Sequence, residues 1–245
     1  MTVNRDNTAL LSNIQHLTDK GFCILHHIFT QNELDQMKSM LQAYCEAKSE
    51  DTYAIRNLLQ EIPGLKSLAL NSNLLKILDT IDPALFLTKA IYFDKTQESN
   101  WYVTWHQDIV INVNEKIEIN GFTGWTKKFG VHGVVPPDEY LKNTVTVRIH
   151  LDDTDETNGA LKVIPGSHNK KLSDDEIALI TQNSIPYVCE VPACGIQIMK
   201  PLLLHASSKA TSLKHRRVIH LEFNSQEMPD KLAWAERTEF RSAMA

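Results

Sequence analysis

Leu10, Leu11, Ile14 and Leu17 recur at the spacing of one helix face, and Gly21 follows where a helix end favours a residue free to take positive φ. A first helix therefore ends at Gly21. The next run, FCILHHIF, is short and apolar and suits a strand. In TQNEL after it, Thr30 can cap a helix with Glu33 three residues on, and Leu34, Met37, Leu41 and Tyr44 then mark one helical face. Segments 53–60 and 72–80 also read as helical, interrupted by Pro63-Gly64 and Asp82-Pro83. From residue 86 the period changes to two: LTKAIYFDK, WYVTWHQD, NTVTVRIHL, GALKVIPG, CGIQIMKP and RVIHLEF are short β-branched or aromatic runs separated by turns. Many short strands of this kind indicate a sandwich or jelly roll. The stretch 110–140, with Gly121, Gly124, Gly130, Gly133 and Pro136-Pro137, is long for a loop and is a candidate lid over a substrate.

Composition adds an ordinary globular protein, 42% hydrophobic and 22% charged, able to bury a sizeable core. All-β domains of 245 residues often stay single, so one domain over 1–245 is expected, with a helical portion to about 85 and a β core over about 86–225. The net charge of −5 is dispersed, and Lys127-Lys128, Lys170-Lys171 and Arg216-Arg217 do not join into a stripe, which argues against nucleic acid as a partner. The N-terminus has no apolar run of signal-peptide length, and no stretch approaches the ~20 apolar residues that cross a bilayer. Cys23, Cys45, Cys189 and Cys194 form no CxxC pair and read as free, mostly buried thiols of a reduced compartment. The expectation is a cytoplasmic protein, a monomer or simple homodimer, with no membrane partner.

The chemistry lies in histidine and carboxylate spacing. A His and an acid two apart on a strand share a face and can converge on one metal. A second His from a distant strand completes a facial triad, the arrangement of non-haem iron(II) enzymes. Ten histidines and 30 acids among 245 residues make about one H-x-[DE] match expected by chance, and the chain has three: His106/Asp108, His150/Asp152 and His220/Glu222. The last has no His downstream to complete a triad. The middle pair runs into the turn DDTDETNG and reads as an exposed strand end.

The first pair has distinctive company. FDK at 93–95, then WHQD, GALKVIPGSH and LLLHASSKATSLKHRR, in that order, resemble the phytanoyl-CoA dioxygenase family over roughly residues 20–225. The resemblance implies a double-stranded β-helix (jelly roll, cupin-like) core with N-terminal helices packed on it, an α+β fold that is mainly β. It implies an Fe(II)/2-oxoglutarate-dependent dioxygenase with His106, Asp108 and His205 on iron and O2 as second co-substrate. In that family an Arg eleven residues past the distal His grips the far carboxylate of 2-oxoglutarate, which makes Arg216 the candidate here. A guanidinium fork suits that task better than a lysine. Arg217 points to the opposite face of its strand. By the same resemblance Gln107 and Ser207 contact the co-substrate, and Arg148 stands beside it where some members carry Trp. His168 in PGSH is expected to shape a turn. Trp101, Trp105, Phe122, Trp125 and His132 are expected to line the pocket of a small organic substrate.

The activity so implied is oxidation, most commonly hydroxylation, of an unactivated C–H, with 2-oxoglutarate decarboxylated to succinate and CO2. Desaturation, cyclisation or epimerisation would use the same chemistry. Halogenases of the wider superfamily replace the ligating carboxylate by a small residue, so Asp108 argues against halogenation. Two competitors use the same ligands: a cupin-like metal-binding protein without turnover, which gives no reason for Arg216, and a zinc hydrolase.

Overall fold

The computed structural model describes residues 3–48, 52–96, 98–229 and 231–241. The N-terminal portion is α1 (Val3–Lys20), β1 (Phe22–Leu25), α2 (Gln31–Lys48), β2 (Ala54–Arg56), α3 (Leu58–Glu61), α4 (Leu65–Ala69) and α5 (Ser72–Ile81). The β-rich portion follows with β3 (Phe86–Lys95), β4 (Val103–His106), β5 (Ile111–Val113), β6 (Thr123–Lys128), β7 (Val131–Val135), α6 (Asp138–Asn143), β8 (Val145–His150) and β9 (Leu161–Val163). It closes with α7 (Asp174–Asn183), β10 (Tyr187–Cys189), β11 (Ile196–Met199), β12 (His205–Ser207) and β13 (Arg216–Asn224).

The capping box at α2 forms as expected, Thr30 N–H donating to Glu33 Oε2 at 2.7 Å and Glu33 N–H to Thr30 Oγ1 at 3.2 Å. Leu34, Met37 and Leu41 of the same helix are buried, each contributing about 1.5–3 kcal/mol of transfer free energy. The helix expected over 53–60 does not form. Ile55 is buried between two exposed neighbours and β2 pairs with β3, after which Asn57 turns the chain with φ 52° into α3. Asn accepts that left-handed conformation more readily than most residues. The helix α7, which apolar periodicity did not reveal, is announced by a second capping box, Ser173 with Glu176.

The strands make an antiparallel six-stranded sheet in the order β1-β11-β8-β13-β3-β2 and a four-stranded sheet in the order β10-β9-β12-β4. Together they give the mixed, mainly antiparallel jelly-roll architecture expected, with the N-terminal helices against the outer face of the larger sheet. There Val147, Ile149, Ile198, Ile219, Leu221 and Phe223 join Leu34, Leu74 and Leu78 in one apolar cluster. The stretch 110–140 is not a loop. It folds into a third sheet, β5-β7-β6, with α6 after it. Phe129 and Gly130, with φ of 51° and 80°, turn β6 into β7. Positive φ at both central residues matches the right-handed twist of a hairpin, but Phe-Gly lacks the Asn-Gly or Asp-Gly signature by which such turns are read. Among the described residues no helix is long and apolar enough to cross a membrane, and the four cysteines are free thiols.

Candidate metal centre

β12 and β4 pair antiparallel with His205 directly opposite His106, so sheet register alone brings the two imidazoles together. Their ring centroids are 4.2 Å apart. Asp108 lies just beyond the end of β4, where its backbone N–H donates to Pro201 O at 2.9 Å and ties it to the turn before β12. His106 Nε2 and His205 Nε2 each lie 3.5 Å from an oxygen of Asp108. One ligand atom from each of the three residues falls within 4.8 Å of the others, and among the described residues no other group of three or more His, Cys, Asp and Glu does so.

The tautomers suit ligation. His106 Nδ1 lies 2.9 Å from Thr104 O and His205 Nδ1 lies 2.7 Å from Leu203 O. A carbonyl only accepts, so each Nδ1 carries a proton and each Nε2 turns toward the other ligands. Burial pushes the pKa of His205 down to about 4, which keeps its ring neutral. For Asp108 burial opposes ionisation, but the two imidazoles beside it, His205 and the hydrogen-bonded His106, outweigh it and hold the carboxyl below the usual range.

The triad opens onto a cavity of about 200 Å3 whose lining includes Phe93, Trp101, Arg148, Ser207, Arg216 and His220. Two arginines line the cavity and a lysine stands behind its Ser207. Arg216 is 3% exposed and its NH1 donates to Gly159 O at 2.8 Å. Lys95 Nζ donates to Ser207 Oγ at 3.1 Å and lies over the Trp101 ring. Arg148 NH1 lies 3.3 Å from His220 Nδ1; a guanidinium only donates, so His220 carries its proton on Nε2, 3.1 Å from Glu222 Oε1. Burial and the like charge of Arg148 lower the pKa of Arg216 to about 9, and burial with Arg216 lowers that of Lys95 to about 8. Among the described residues no carboxylate is hydrogen-bonded to Arg216, Arg148 or Lys95, and the Nε atoms of both arginines are buried without a partner. Buried cations so arranged fit a dianion beside a divalent metal. The donor set of two imidazoles and one carboxylate fits iron(II), and 2-oxoglutarate fits the cations.

Other residues fall elsewhere than expected. Gln107 does not face the cavity: its amide donates to Leu202 O and Lys170 O and accepts from Leu172 N–H at 2.8 Å, which pins the segments around β4 and β12. Phe122 is buried against Tyr140 in a separate apolar cluster with Trp234, and Trp125 packs on that cluster. His132 pairs across strands with Val113 and Lys127, and neither it nor Trp105 lines the metal-side cavity, whereas Trp101 does. The pair His150/Asp152 is no exposed strand end. His150 is buried with Nδ1 2.7 Å from Thr154 Oγ1, and Asp152 is held by Arg217 at 2.7 Å. His168 ties its short helical turn to Thr18 O at 3.0 Å. His220, set aside with Glu222 as a metal pair because no His follows it, lines the cavity; its place four residues beyond Arg216 on the same strand face is the signal.

The sequence profile of the phytanoyl-CoA dioxygenase (PhyH) family matches residues 17–218. The chain belongs to the phytanoyl-CoA dioxygenase family. No curated protein sequence matches it. Several solved structures share its fold. SnoK, a non-haem alpha-ketoglutarate-dependent carbocyclase of nogalamycin biosynthesis, superposes with a TM-score of 0.69 at 12% identity, covering 95% of this chain and 88% of that one. The epimerase SnoN of the same biosynthesis gives 0.68 at 13% identity, covering 93% and 86%. HygX from Streptomyces hygroscopicus, with nickel and 2-oxoglutarate bound, gives 0.64 at 15% identity, covering 87% and 86%. As a member of the phytanoyl-CoA dioxygenase family the chain is an iron(II)- and 2-oxoglutarate-dependent oxygenase, and the His106–Asp108–His205 cluster agrees with that.

Proposed function

We propose that the chain oxidises an unactivated C–H of a small organic molecule, with His106, Asp108 and His205 holding iron(II) and Arg216 receiving the far carboxylate of 2-oxoglutarate. The observation that carries this reading is the buried guanidinium of Arg216, which shares one cavity with the triad and has no acid partner among the described residues. Iron(II) with 2-oxoglutarate and O2 supplies an oxidant strong enough to break such a bond, 2-oxoglutarate leaving as succinate and CO2.

The protein's own part is placement. Leu203 O and Thr104 O fix the two imidazoles by their Nδ1 protons, and the Pro201 carbonyl fixes the backbone of Asp108. Gly159 O orients Arg216 by one arm, and its Nε remains for a carboxylate oxygen. Ser207, which donates to Gly159 O at 3.0 Å and accepts from Lys95, stands between these groups as a further polar contact for the co-substrate. The Arg148–His220–Glu222–Lys89 row keeps a second guanidinium at the cavity wall, on the side of the metal. Phe93, Trp101 and Leu161 supply apolar wall that limits water at the reacting centre. SnoK and SnoN are a carbocyclase and an epimerase, so cyclisation and epimerisation stand beside hydroxylation as outcomes for this site. The scattered basic pairs speak for a free small molecule rather than nucleic acid, and the four free thiols suit a cytoplasmic protein, taken to be a monomer or simple homodimer.

The test is succinate formation from 2-oxoglutarate with Fe(II), ascorbate and air, against a His106→Ala control. Succinate only from the parent chain supports the reading. Equal yields from both, or hydrolytic turnover retained when Zn(II) replaces Fe(II), count against it.

A further inference from the structure

A second cavity, of about 270 Å3, abuts the metal-side one. Three observations join them. On β3 the inward residue Phe93 lines the first cavity, while Ile91 and Lys89, the next inward residues of the same strand, line the second. Alternate residues of a strand are only about 6–7 Å apart. Lys89 Nζ binds Glu222 at 2.8 Å, and Glu222 binds His220 of the first cavity, so one buried polar row forms the shared wall. Val110, which lines the second cavity, follows the metal-ligand candidate Asp108 by two residues, and its carbonyl accepts from Lys89 Nζ at 3.4 Å. The far wall is the β6–β7 hairpin.

The charges of this second space are uneven. Arg56 and Lys128 stand at its rim, both exposed, and among the described residues neither makes a hydrogen bond or ion pair to an acid; Arg56 instead lies 4.9 Å over the Phe129 ring. Lys89 is already neutralised by Glu222. The one acid on the floor, Glu236, is 5% exposed and accepts the Ala90 N–H at 3.0 Å; burial pushes its pKa up to about 7, and Arg56 feels its charge without forming a pair. The rim is thus cationic, and the one acid on the floor is buried away from it and only about half ionised at neutral pH. A volume below the ~300–1,000 Å3 of sites for drug-sized ligands limits the occupant to a small molecule.

We propose that the second cavity holds the molecule to be oxidised and selects a small organic acid, its carboxylate at Arg56 and Lys128 and its carbon skeleton running past Ile91 toward the metal. This rests on the oxygenase reading above.

The experiment loads the protein anaerobically with Fe(II) and 2-oxoglutarate and dialyses it against a mixture of small hydroxy, amino and aromatic carboxylic acids, each with its primary amide. Retained compounds are identified by mass spectrometry. Acids are expected to be retained over their amides by at least about tenfold, the worth of one charge-assisted hydrogen bond. The double variant Arg56→Gln/Lys128→Gln should lose that preference, while its calorimetric titration with 2-oxoglutarate matches the parent. Amides retained as well as acids, a preference unchanged in the double variant, or no acid retained by protein that binds 2-oxoglutarate would each overturn the proposal. Failure of the parent to bind 2-oxoglutarate at all would instead remove the oxygenase reading beneath it.

Discussion

The two faces of the six-stranded sheet are built on opposite principles. Its outer face presents Val147, Ile149, Ile198, Ile219, Leu221 and Phe223 to the helices, a continuous apolar layer. Its inner face presents Lys89 and Lys95 from β3, Arg148 from β8, and Arg216, His220 and Glu222 from β13, all buried. Strand alternation allows one sheet to carry both. The outer layer gains free energy with every side chain it buries, whereas the inner one costs desolvation that its hydrogen bonds only partly offset. The difference teaches where stability ends and chemistry begins: the buried arginines are held through NH1 by a carbonyl and an imidazole and keep unpartnered Nε atoms, which an anionic ligand would satisfy.

That contrast can be broken by substitution. The largest effect is expected at Arg216→Met. Losing two charge-assisted hydrogen bonds to a carboxylate should cost about 3–6 kcal/mol, which is a weakening of 2-oxoglutarate binding by at least about 100-fold. Calorimetry would read this, and the thermal midpoint should hold or rise because a buried charge has gone. A midpoint lowered by many degrees would show that Arg216 serves the fold. Leu221→Ala, on the other face of the same strand, should cost about 2–5 kcal/mol of stability in denaturant unfolding and leave 2-oxoglutarate affinity unaltered. A smaller effect concerns pH. Lys95 has its pKa depressed to about 8 from 10.5, so between those values the unfolded chain holds a proton that the folded chain has released. Lys95 should therefore contribute a rise in the stability of the metal-free protein with pH across that window, so the stability of Lys95→Met relative to the parent should fall as pH climbs from about 8 to 10.5. An unchanged slope would mean that Lys95 is not desolvated. Least is expected of Arg217→Met, which breaks the partly exposed pair with Asp152 on the outer face; about 1 kcal/mol of stability should go, with no change in 2-oxoglutarate binding.

Much of this was legible because the decisive features are local in sequence. The capping box at Thr30, the period of two after residue 86 and the same-face His106/Asp108 pair each carry their own physical reason, whereas His205 and Arg216 were picked out by the family resemblance. What escaped depends on which face a strand turns inward. Trp125 and His132 belong to the right hairpin, but Lys128, Val131 and Gly133, on the alternate face, line the second cavity. The Phe129-Gly130 turn that sets this register gives no ordinary hairpin signal, so the segment read as a loop. Gln107 illustrates the same rule from the other side: standing between His106 and Asp108, it points away from them into the backbone of neighbouring segments. Arg148 was set beside the co-substrate by the family resemblance alone; that its strand is buried along its whole length and turns Arg148 into the cavity is visible only in the fold.

The central claim is that three side chains on paired strands hold one ferrous ion beside a guanidinium that receives the co-substrate. Anaerobic calorimetry, titrating Fe(II) and then 2-oxoglutarate, tests it most directly in the parent chain and in Asp108→Ala. The account predicts one metal and one 2-oxoglutarate per parent chain, the second binding only after the first, with both lost in Asp108→Ala. Iron binding undiminished in that variant, or 2-oxoglutarate binding equally well without metal, would contradict it.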